Sequence, residues 1–243
     1  MQKEKENWYA SWFDSPYYHI LYKDRDYEEA GNFMNRLTSF LQLPEAAHIL
    51  DLACGKGRHS KYLNTLGYNV IGADLSPSSI AYAKQYENDS LHFKVHDMCA
   101  TFSTKFDAIF NLFTSFGYFE NEEDNLRTIK AIKNGLKPNA CGVIDFLNVY
   151  FVTDNLVEDE IKIVDGISFY IQRYLKNGYI FKDIAFSHNK EEFMFTERVK
   201  ALSLDDFERY FEQAGVQLRH CFGDYQLNSF NERSSERLIL IFS

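Results

Sequence analysis

Two acidic residues and two glycines near residue 50 have the spacing of a ligand site. Asp51 closes an apolar run, Gly55 and Gly57 follow in a loop of small residues, and a second apolar run ends at Asp74. Glycine lacks Cβ, so a ligand can lie directly on the main chain there. The first N–H groups of the following helix favour a carboxylate. An acid after the second strand can accept two hydrogen bonds from vicinal ribose hydroxyls, so the pattern predicts a site for a ribose-bearing ligand.

Residues 48–79 must supply the elements that position these side chains. The apolar run before Asp51 predicts a strand, and the small residues at 53–57 predict a tight turn. A helix is expected to start near Arg58, because apolar residues then recur at helical spacing, and residues 70–73 predict the next strand. This order of elements indicates the opening half of a nucleotide-binding α/β fold.

The loop sequence separates two classes of cofactor site. A dinucleotide fingerprint requires Gly-x-Gly-x-x-Gly, and Ser60 stands at the third glycine position. That fingerprint also lacks an acid four residues before its first glycine, where this chain has Asp51. DLACGKG with Asp74 downstream instead resembles motif I and the second-strand acid of class I S-adenosylmethionine (SAM) methyltransferases. An NAD(P)-dependent oxidoreductase and a non-catalytic SAM-binding module are the alternatives.

The resemblance implies further contacts to SAM. The segment YHILYKDRDYEEA resembles the N-terminal segment of small-molecule N-methyltransferases, in which a tyrosine and an arginine reach the methionine carboxylate, and Tyr18 and Arg25 are the matching positions. Asp97 is expected to bind the adenine amino group, with Met98 against the base. Asn111 at the end of the fourth strand is either a core residue or a cofactor contact. The predicted cofactor-binding residues are Tyr18, Arg25, Asp51, Ala53, Cys54, Gly55, Gly57, Asp74, Leu75, Asp97, Met98 and Asn111.

No residue stands out as the catalytic group. Asn111 is not followed by Pro-Pro-aromatic, so the signature of adenine-amino and glutamine methyltransferases is missing, and the chain has no Pro-Cys pair, which removes the usual nucleophile of cytosine C5 methyltransferases. His59, His96 and His188 are candidates for a general base, although each reads more naturally as a surface or hydrogen-bonded histidine. The expected reaction is methyl transfer to a nitrogen or oxygen of a small molecule, with the loop at 114–119 lining the methyl-transfer path.

Composition restricts the partners. Lysine and arginine number 26 against 35 acidic residues, which gives a net charge of −9 and argues against binding of a nucleic-acid backbone. The four cysteines are scattered without metal-ligand spacing, so no metal site is predicted. The charged N-terminal sequence and the lack of an apolar run of about 20 residues predict a cytoplasmic protein without a membrane segment.

The whole chain reads as an α/β fold, a Rossmann-like doubly wound seven-stranded sheet that is mostly parallel with an antiparallel last strand. We expect an N-terminal helical cap at 1–45, a SAM-binding core at 46–150, an antiparallel β insertion at 151–201 and the rest of the core at 202–243. The insertion follows from short alternating strands joined by the hairpin signal Asn177-Gly178. It could cover the acceptor pocket, form a homodimer contact or be a structural extension.

Overall fold

The computed structural model describes residues 8–23 and 27–243. The strands in these ranges are, in chain order, β1 His48–Leu52, β2 Asn69–Asp74, β3 Leu91–Val95, β4 Phe106–Asn111, β5 Leu136–Leu147, β6 Asp159–Val164, β7 Ile167–Lys176, β8 Tyr179–His188, β9 Glu191–Lys200, β10 Leu218–Phe222 and β11 Arg237–Phe242. The helices are α1 Trp8–Phe13, α2 Pro16–Leu21, α3 Tyr27–Phe40, α4 Arg58–Thr65, α5 Pro77–Ala83, α6 Glu122–Gly135, α7 Val149–Asp154 and α8 Leu204–Ala214, with a short 3-10 helix at Lys84–Tyr86.

Seven strands form one mixed sheet with the order β10-β11-β5-β4-β1-β2-β3. Strands β1 to β5 pair in parallel, whereas β11 runs antiparallel to both β5 and β10. This arrangement confirms the predicted fold class. Because parallel strands share one carboxyl edge, the loops after β1 to β5 all lie along the same side of the sheet.

The core of this sheet is built from apolar side chains on its two faces. Phe33, Met34 and Leu37 of α3 pack with Leu63 of α4 and with the sheet in one fully buried cluster. Leu37 and Leu63 are completely buried, and such a side chain contributes about 1.5–3 kcal/mol relative to an exposed one. The apolar face predicted for the helix after residue 27 is therefore the face that α3 buries against the sheet.

Capping interactions set the helix boundaries that the sequence predicted. Ser76 accepts a hydrogen bond from the N–H of Ser79 and begins α5. Ser203 and Asp206 form a capping box at the start of α8, and Gly215 ends that helix with a φ of 68°. Helix α4 differs, because Gly57 stands at its N-cap and provides no side-chain hydrogen bond.

The contacts divide the chain into two compact units. Among the described residues, one contains 27–152 and 202–243, and the other contains 8–23 together with 153–201. Helix α3, which the sequence analysis grouped with the N-terminal cap at 1–45, lies in the first unit. The four-segment division of the chain stays a prediction.

The second unit contains a four-stranded antiparallel sheet with the order β6-β7-β8-β9. Asn177 and Gly178 both have positive φ values and form the hairpin turn between β7 and β8, as the dipeptide predicted. One face of the sheet packs against α1 and α2 through Trp12, Phe169 and other buried side chains. Among the described residues, no helix has the length and apolarity needed to span a membrane.

Candidate active site

The loop after β1 forms an open main-chain cradle, defined here as residues 53–57. Ala53, Gly55 and Gly57 have φ values of 64°, 54° and 79°. A methyl group placed on Gly55 would meet no atom within 4 Å, so this part of the main chain borders open space. On Gly57 the same group would approach the Phe93 ring to 2.5 Å. Glycine is therefore required at the two positions for different reasons. Gly57 permits close packing against Phe93, and Gly55 leaves the main chain accessible to a ligand.

Asp74, at the end of β2, fixes the cradle. One of its carboxylate oxygens, Oδ2, accepts a hydrogen bond from the Gly55 N–H at 2.8 Å, and Oδ1 accepts one from the Ser76 N–H at 2.8 Å. The carboxylate is only partly buried, and each ionised oxygen can accept more than one hydrogen bond. The Asp74 carbonyl also accepts the His96 N–H at 2.9 Å, which joins the ends of β2 and β3.

Asp51 lies beneath the cradle and is fully buried within it. The Ser60 hydroxyl donates to Asp51 Oδ2 at 2.6 Å, and Ser60 itself has no exposed surface. Burial raises the pKa of Asp51 to about 6, although the Ser60 hydrogen bond acts in the opposite direction. Asp74 also raises this pKa through its negative charge. Ser60 therefore has its own role in the loop, as a hydrogen-bond donor to Asp51.

Asn111 connects the ends of β1 and β4 beside the cradle. Its Nδ2 donates to the Leu52 carbonyl at 3.1 Å and lies 3.8 Å from the Met98 sulfur. Its Oδ1 is buried and has no hydrogen-bond partner among the described residues. Buried amide oxygens are normally paired, so this acceptor indicates a place where a water or ligand donor belongs.

The structure brings most of the predicted cofactor residues to one edge of the sheet. Asp97 is exposed after β3 and accepts the Cys99 N–H at 2.9 Å, and Leu75 is 42% exposed after β2. Cys54 is buried within the cradle, where burial raises the pKa of its thiol. Tyr18 lies in the other unit, where its ring packs against Trp12 in α1 and against Tyr22, directly after α2. Arg25 lies outside the described residues.

The turn after β4 carries backbone strain next to the cradle. Phe113 and Thr114 have φ values of 56° and 59°, and each such non-glycine residue costs about 1–2 kcal/mol. The Phe113 ring stacks on His59 with ring centres 4.4 Å apart and planes 1° apart. Asp145 at the end of β5 accepts the Phe113 N–H at 2.8 Å. Asp145 was not among the predicted site residues; the only signal was a charged residue inside the apolar run at 141–147.

The histidines considered as general bases have different surroundings. His59 Nε2 lies 2.8 Å from Nη2 of Arg58. His96 Nε2 lies 2.8 Å from the Ala100 carbonyl oxygen, and His188 in the second unit forms a 3.0 Å hydrogen bond with the Tyr17 hydroxyl. These contacts assign no proton-transfer role to any of the three. The described residues contain no group of three metal-binding side chains.

The raised pKa of Asp51 generates a prediction about stability. Between pH 4 and 6 the folded state holds a proton that the unfolded chain, with a pKa near 3.8, has released, so stability must fall as pH rises through this window. The loss should reach about 3 kcal/mol at pH 7. Replacing Asp51→Asn removes this term. Urea unfolding should therefore show the variant gaining stability relative to the parent by about 2–3 kcal/mol between pH 4 and pH 7.

The control for this measurement is Asp89→Asn, an exposed acid in the loop before β3. Its stability relative to the parent should change little over the same pH range. Parallel pH profiles for the parent and Asp51→Asn would contradict the buried, protonated state of Asp51.

Comparison with known proteins gives a consistent family. Residues 49–139 match the model of a methyltransferase domain. The chain is 27% identical over 220 residues to YqeM of Bacillus subtilis (strain 168), a protein named as a methyltransferase, covering 81% of this chain and 83% of that protein. It is 25% identical over 131 residues to dTDP-3-amino-3,4,6-trideoxy-alpha-D-glucopyranose N,N-dimethyltransferase of Streptomyces venezuelae, covering 53% of this chain and 54% of that enzyme.

The fold is also that of a solved methyltransferase. A SAM-dependent methyltransferase from Clostridium acetobutylicum ATCC 824 superposes with a TM-score of 0.79 and 21% identity, covering 93% of this chain and 95% of that one. The seven-stranded order, with β11 antiparallel between β5 and β10, agrees with this likeness. The matched domain model, the relatives and the fold together support a class I S-adenosylmethionine-dependent methyltransferase.

Proposed function

We propose that this methyltransferase binds SAM at the cradle and methylates an amine nitrogen of a small molecule. The observation that carries the proposal is the Asp74 carboxylate, which is fixed by two main-chain N–H groups beside the open side of Gly55. A partly exposed acid at the end of β2, next to accessible main chain, suits a ligand that offers a ribose diol.

The cradle residues fit SAM on three points. The space above Gly55 admits a ligand onto the main chain. The unpaired Oδ1 of Asn111 can accept from a donor at the ends of β1 and β4. The acids Asp51 and Asp74 complement a cationic ligand. SAM, when bound, supplies the methyl group on a positively charged sulfur, which makes that methyl electrophilic.

The proposed holding roles follow the order of the strands. Asp74 would bind the ribose hydroxyls, Asp97 the adenine amino group, and Met98 would lie against the base. Tyr18 and Arg25 are proposed for the methionine carboxylate, on the resemblance of the N-terminal segment alone. The protein contributes orientation and a crevice with little water, and these factors dominate when the cofactor already carries the reactivity.

An amine acceptor is favoured over a hydroxyl for a chemical reason. An unprotonated amine attacks with its own lone pair, whereas a hydroxyl requires a base to remove its proton. The surroundings of His59, His96 and His188 assign no such base. The Streptomyces venezuelae relative is named as an N,N-dimethyltransferase of an amino sugar, which supports a nitrogen acceptor on a small molecule.

The role of Asp74 can be tested by cofactor binding. Asp74→Asn keeps an oxygen of similar shape but removes the charge, so the hydrogen bonds to the ribose become weaker. Isothermal titration should show SAM binding to the parent and at least a tenfold larger dissociation constant in the variant, equivalent to about 1.4 kcal/mol.

The matched control is Asp89→Asn, which should bind SAM like the parent. NADH should bind neither protein. Equal SAM affinities in Asp74→Asn and the parent would remove Asp74 from the site, and NADH binding without SAM binding would favour the oxidoreductase alternative.

The acceptor class can be tested with paired substrates. Labelled SAM should transfer its methyl group to small amines, including amino sugars, and not to the corresponding alcohols. The rate should rise with pH toward the pKa of each amine, because only the unprotonated form attacks. Transfer to alcohols alone would contradict a nitrogen acceptor, and SAM binding without transfer to either class would favour the non-catalytic alternative.

We also propose that two copies of the chain associate through the outer face of the second sheet, meaning the face turned away from α1 and α2. One row of cross-strand neighbours on this face is exposed and largely apolar: Ile161, Tyr170, Ala185 and Met194. Tyr170 is 56% exposed and Met194 is 72% exposed. With strands about 4.8 Å apart and a rise of about 3.3 Å per residue, the face measures roughly 600 Å². That area approaches the roughly 800 Å² per partner of a standard interface.

Sedimentation velocity tests the dimer. The double variant Ile161→Lys, Met194→Lys should sediment as a monomer at concentrations where the parent is a dimer, because buried lysines would lose hydration. Tyr82→Lys is the control, since Tyr82 is 46% exposed and lies in the other unit. A monomeric parent, or an unchanged dimer in the double variant, would contradict this interface.

A further inference from the structure

The strained turn at Phe113 and Thr114 is held by a buried charge network. Asp145 has no exposed surface and accepts the Phe113 N–H through Oδ2 at 2.8 Å. The Asp145 carbonyl accepts the Thr114 N–H at 3.0 Å. A single residue of β5 therefore binds the main chain of both residues that adopt the left-handed conformation. These two hydrogen bonds account for the strained turn, because a turn with unfavourable φ values persists only when its surroundings fix it.

Arg237, the first residue of β11, completes the network. Its Nε donates to Asp145 Oδ1 at 2.8 Å, and its Nη2 donates to the Thr114 hydroxyl at 2.9 Å. The Tyr225 hydroxyl donates to Asp145 Oδ2 at 3.3 Å. The Asp145 carboxylate thus accepts hydrogen bonds from a main-chain N–H, a guanidinium and a phenol. The guanidinium reaches both the carboxylate and the turn.

The charges in this network balance one another. Asp145 and Arg237 form an ion pair at 2.7 Å, in which the carboxylate side chain is fully buried and the guanidinium side chain is 19% exposed. Burial acts to lower the pKa of Arg237, but the negative charge of Asp145 and its other partners act against this and raise that pKa. Burial is the main cause that raises the pKa of Tyr225. Replacing a buried pair with apolar residues is often neutral for stability, whereas removing one partner leaves an uncompensated charge. Such a pair is better suited to fixing geometry than to adding stability.

The turn that this pair holds contacts the beginning of α4. The Phe113 ring stacks on His59 and lies 5.3 Å from the guanidinium carbon of Arg58. Both of these residues follow directly after Gly57, the last residue of the cradle. Tyr225 also contacts this ring, with centroids 5.3 Å apart. Phe113 therefore contacts both the network and the helix that begins after the cradle.

We propose that Asp145 and Arg237 are positioning residues for methyl transfer, which hold the Phe113–Thr114 turn against the first turn of α4 and so shape the crevice beside the cradle. The proposal rests on the proposed function, because it assigns the loop at 114–119 to the methyl-transfer path. The cofactor contacts at Gly55 and Asp74 lie on other strand ends and remain when the pair is broken.

The experiment compares Asp145→Asn and Arg237→Gln with an ion pair at the opposite edge of the sheet. Lys137 of β5 and Asp107 of β4 form this second pair at 2.7 Å, at the amino end of β4. Asp107→Asn and Lys137→Gln are therefore the controls. Ile144→Val, a fully buried neighbour in β5, reports what a modest loss of stability does by itself.

Three quantities are measured for each variant: hydrogen–deuterium exchange of residues 112–119, the KM for SAM, and kcat with an amine acceptor. Breaking the pair should raise exchange at 112–119 about tenfold and lower kcat at least tenfold, while the KM for SAM changes less than threefold. Arg237→Lys keeps the positive charge but has a single donor nitrogen, which cannot reach both Asp145 and Thr114. Its kcat should therefore lie between those of Arg237→Gln and the parent. The controls and Ile144→Val should keep the exchange and kcat of the parent.

Two results would overturn the proposal. One is parent-like exchange and kcat in Asp145→Asn. The other is an equal fall in kcat in Ile144→Val or Asp107→Asn, which would make the effect one of general stability. A parent that neither binds SAM nor transfers a methyl group contradicts the proposed function and with it the catalytic part of the inference. The hydrogen–deuterium exchange of residues 112–119 would then still show whether the Asp145–Arg237 pair holds the Phe113–Thr114 turn.

Discussion

The hydrogen bond from the Gly55 N–H to the Asp74 carboxylate is the interaction on which the site depends. It joins the loop after β1 to the end of β2, at 2.8 Å, and the second carboxylate oxygen is fixed by Ser76 in the same way. The loop can form this bond because Gly57 tolerates a φ of 79° and the close approach of Phe93. The pairing of β1 with β2, the conformation of the loop after β1 and the position of the Asp74 carboxylate therefore depend on one another.

Two further acids at the same edge are buried, and their surroundings give them different states. Burial raises the pKa of Asp51 to about 6, although the Ser60 hydroxyl donor and the charge of Arg58 act in the opposite direction. Asp145 forms an ion pair with Arg237 and accepts the main-chain N–H of Phe113. The first can therefore change charge in mildly acidic solution, whereas the second is paired. A cationic cofactor would favour the ionised form of Asp51, which links its binding to proton release.

Much of the fold and part of the site could be predicted from local sequence. The cradle, the Ser76 and Ser203 caps and the Asn177-Gly178 hairpin depend on residues close together in the chain, so their signals survive without an alignment. The sheet order also followed, through the resemblance of motif I and the strand-end acids. These features are local because glycine conformation and capping are decided within a few residues.

The network around Asp145 could not be predicted in this way. Asp145 and Arg237 lie 92 positions apart and meet only because β11 pairs with β5 in one register. Tyr225 reaches the same carboxylate from a loop. Ser60 was read as a missing glycine, whereas the structure shows it donating to the buried Asp51. Side-chain pairs of this kind depend on tertiary packing, which single-sequence periodicity does not encode.

A crystal structure of the protein with S-adenosylhomocysteine tests the central claim most directly. We expect both ribose hydroxyls within 3.2 Å of the Asp74 carboxylate, with the ligand lying on the main chain of Gly55. A ligand bound elsewhere, or an Asp74 side chain turned away from the ribose, would contradict the assignment of the cradle as the cofactor site.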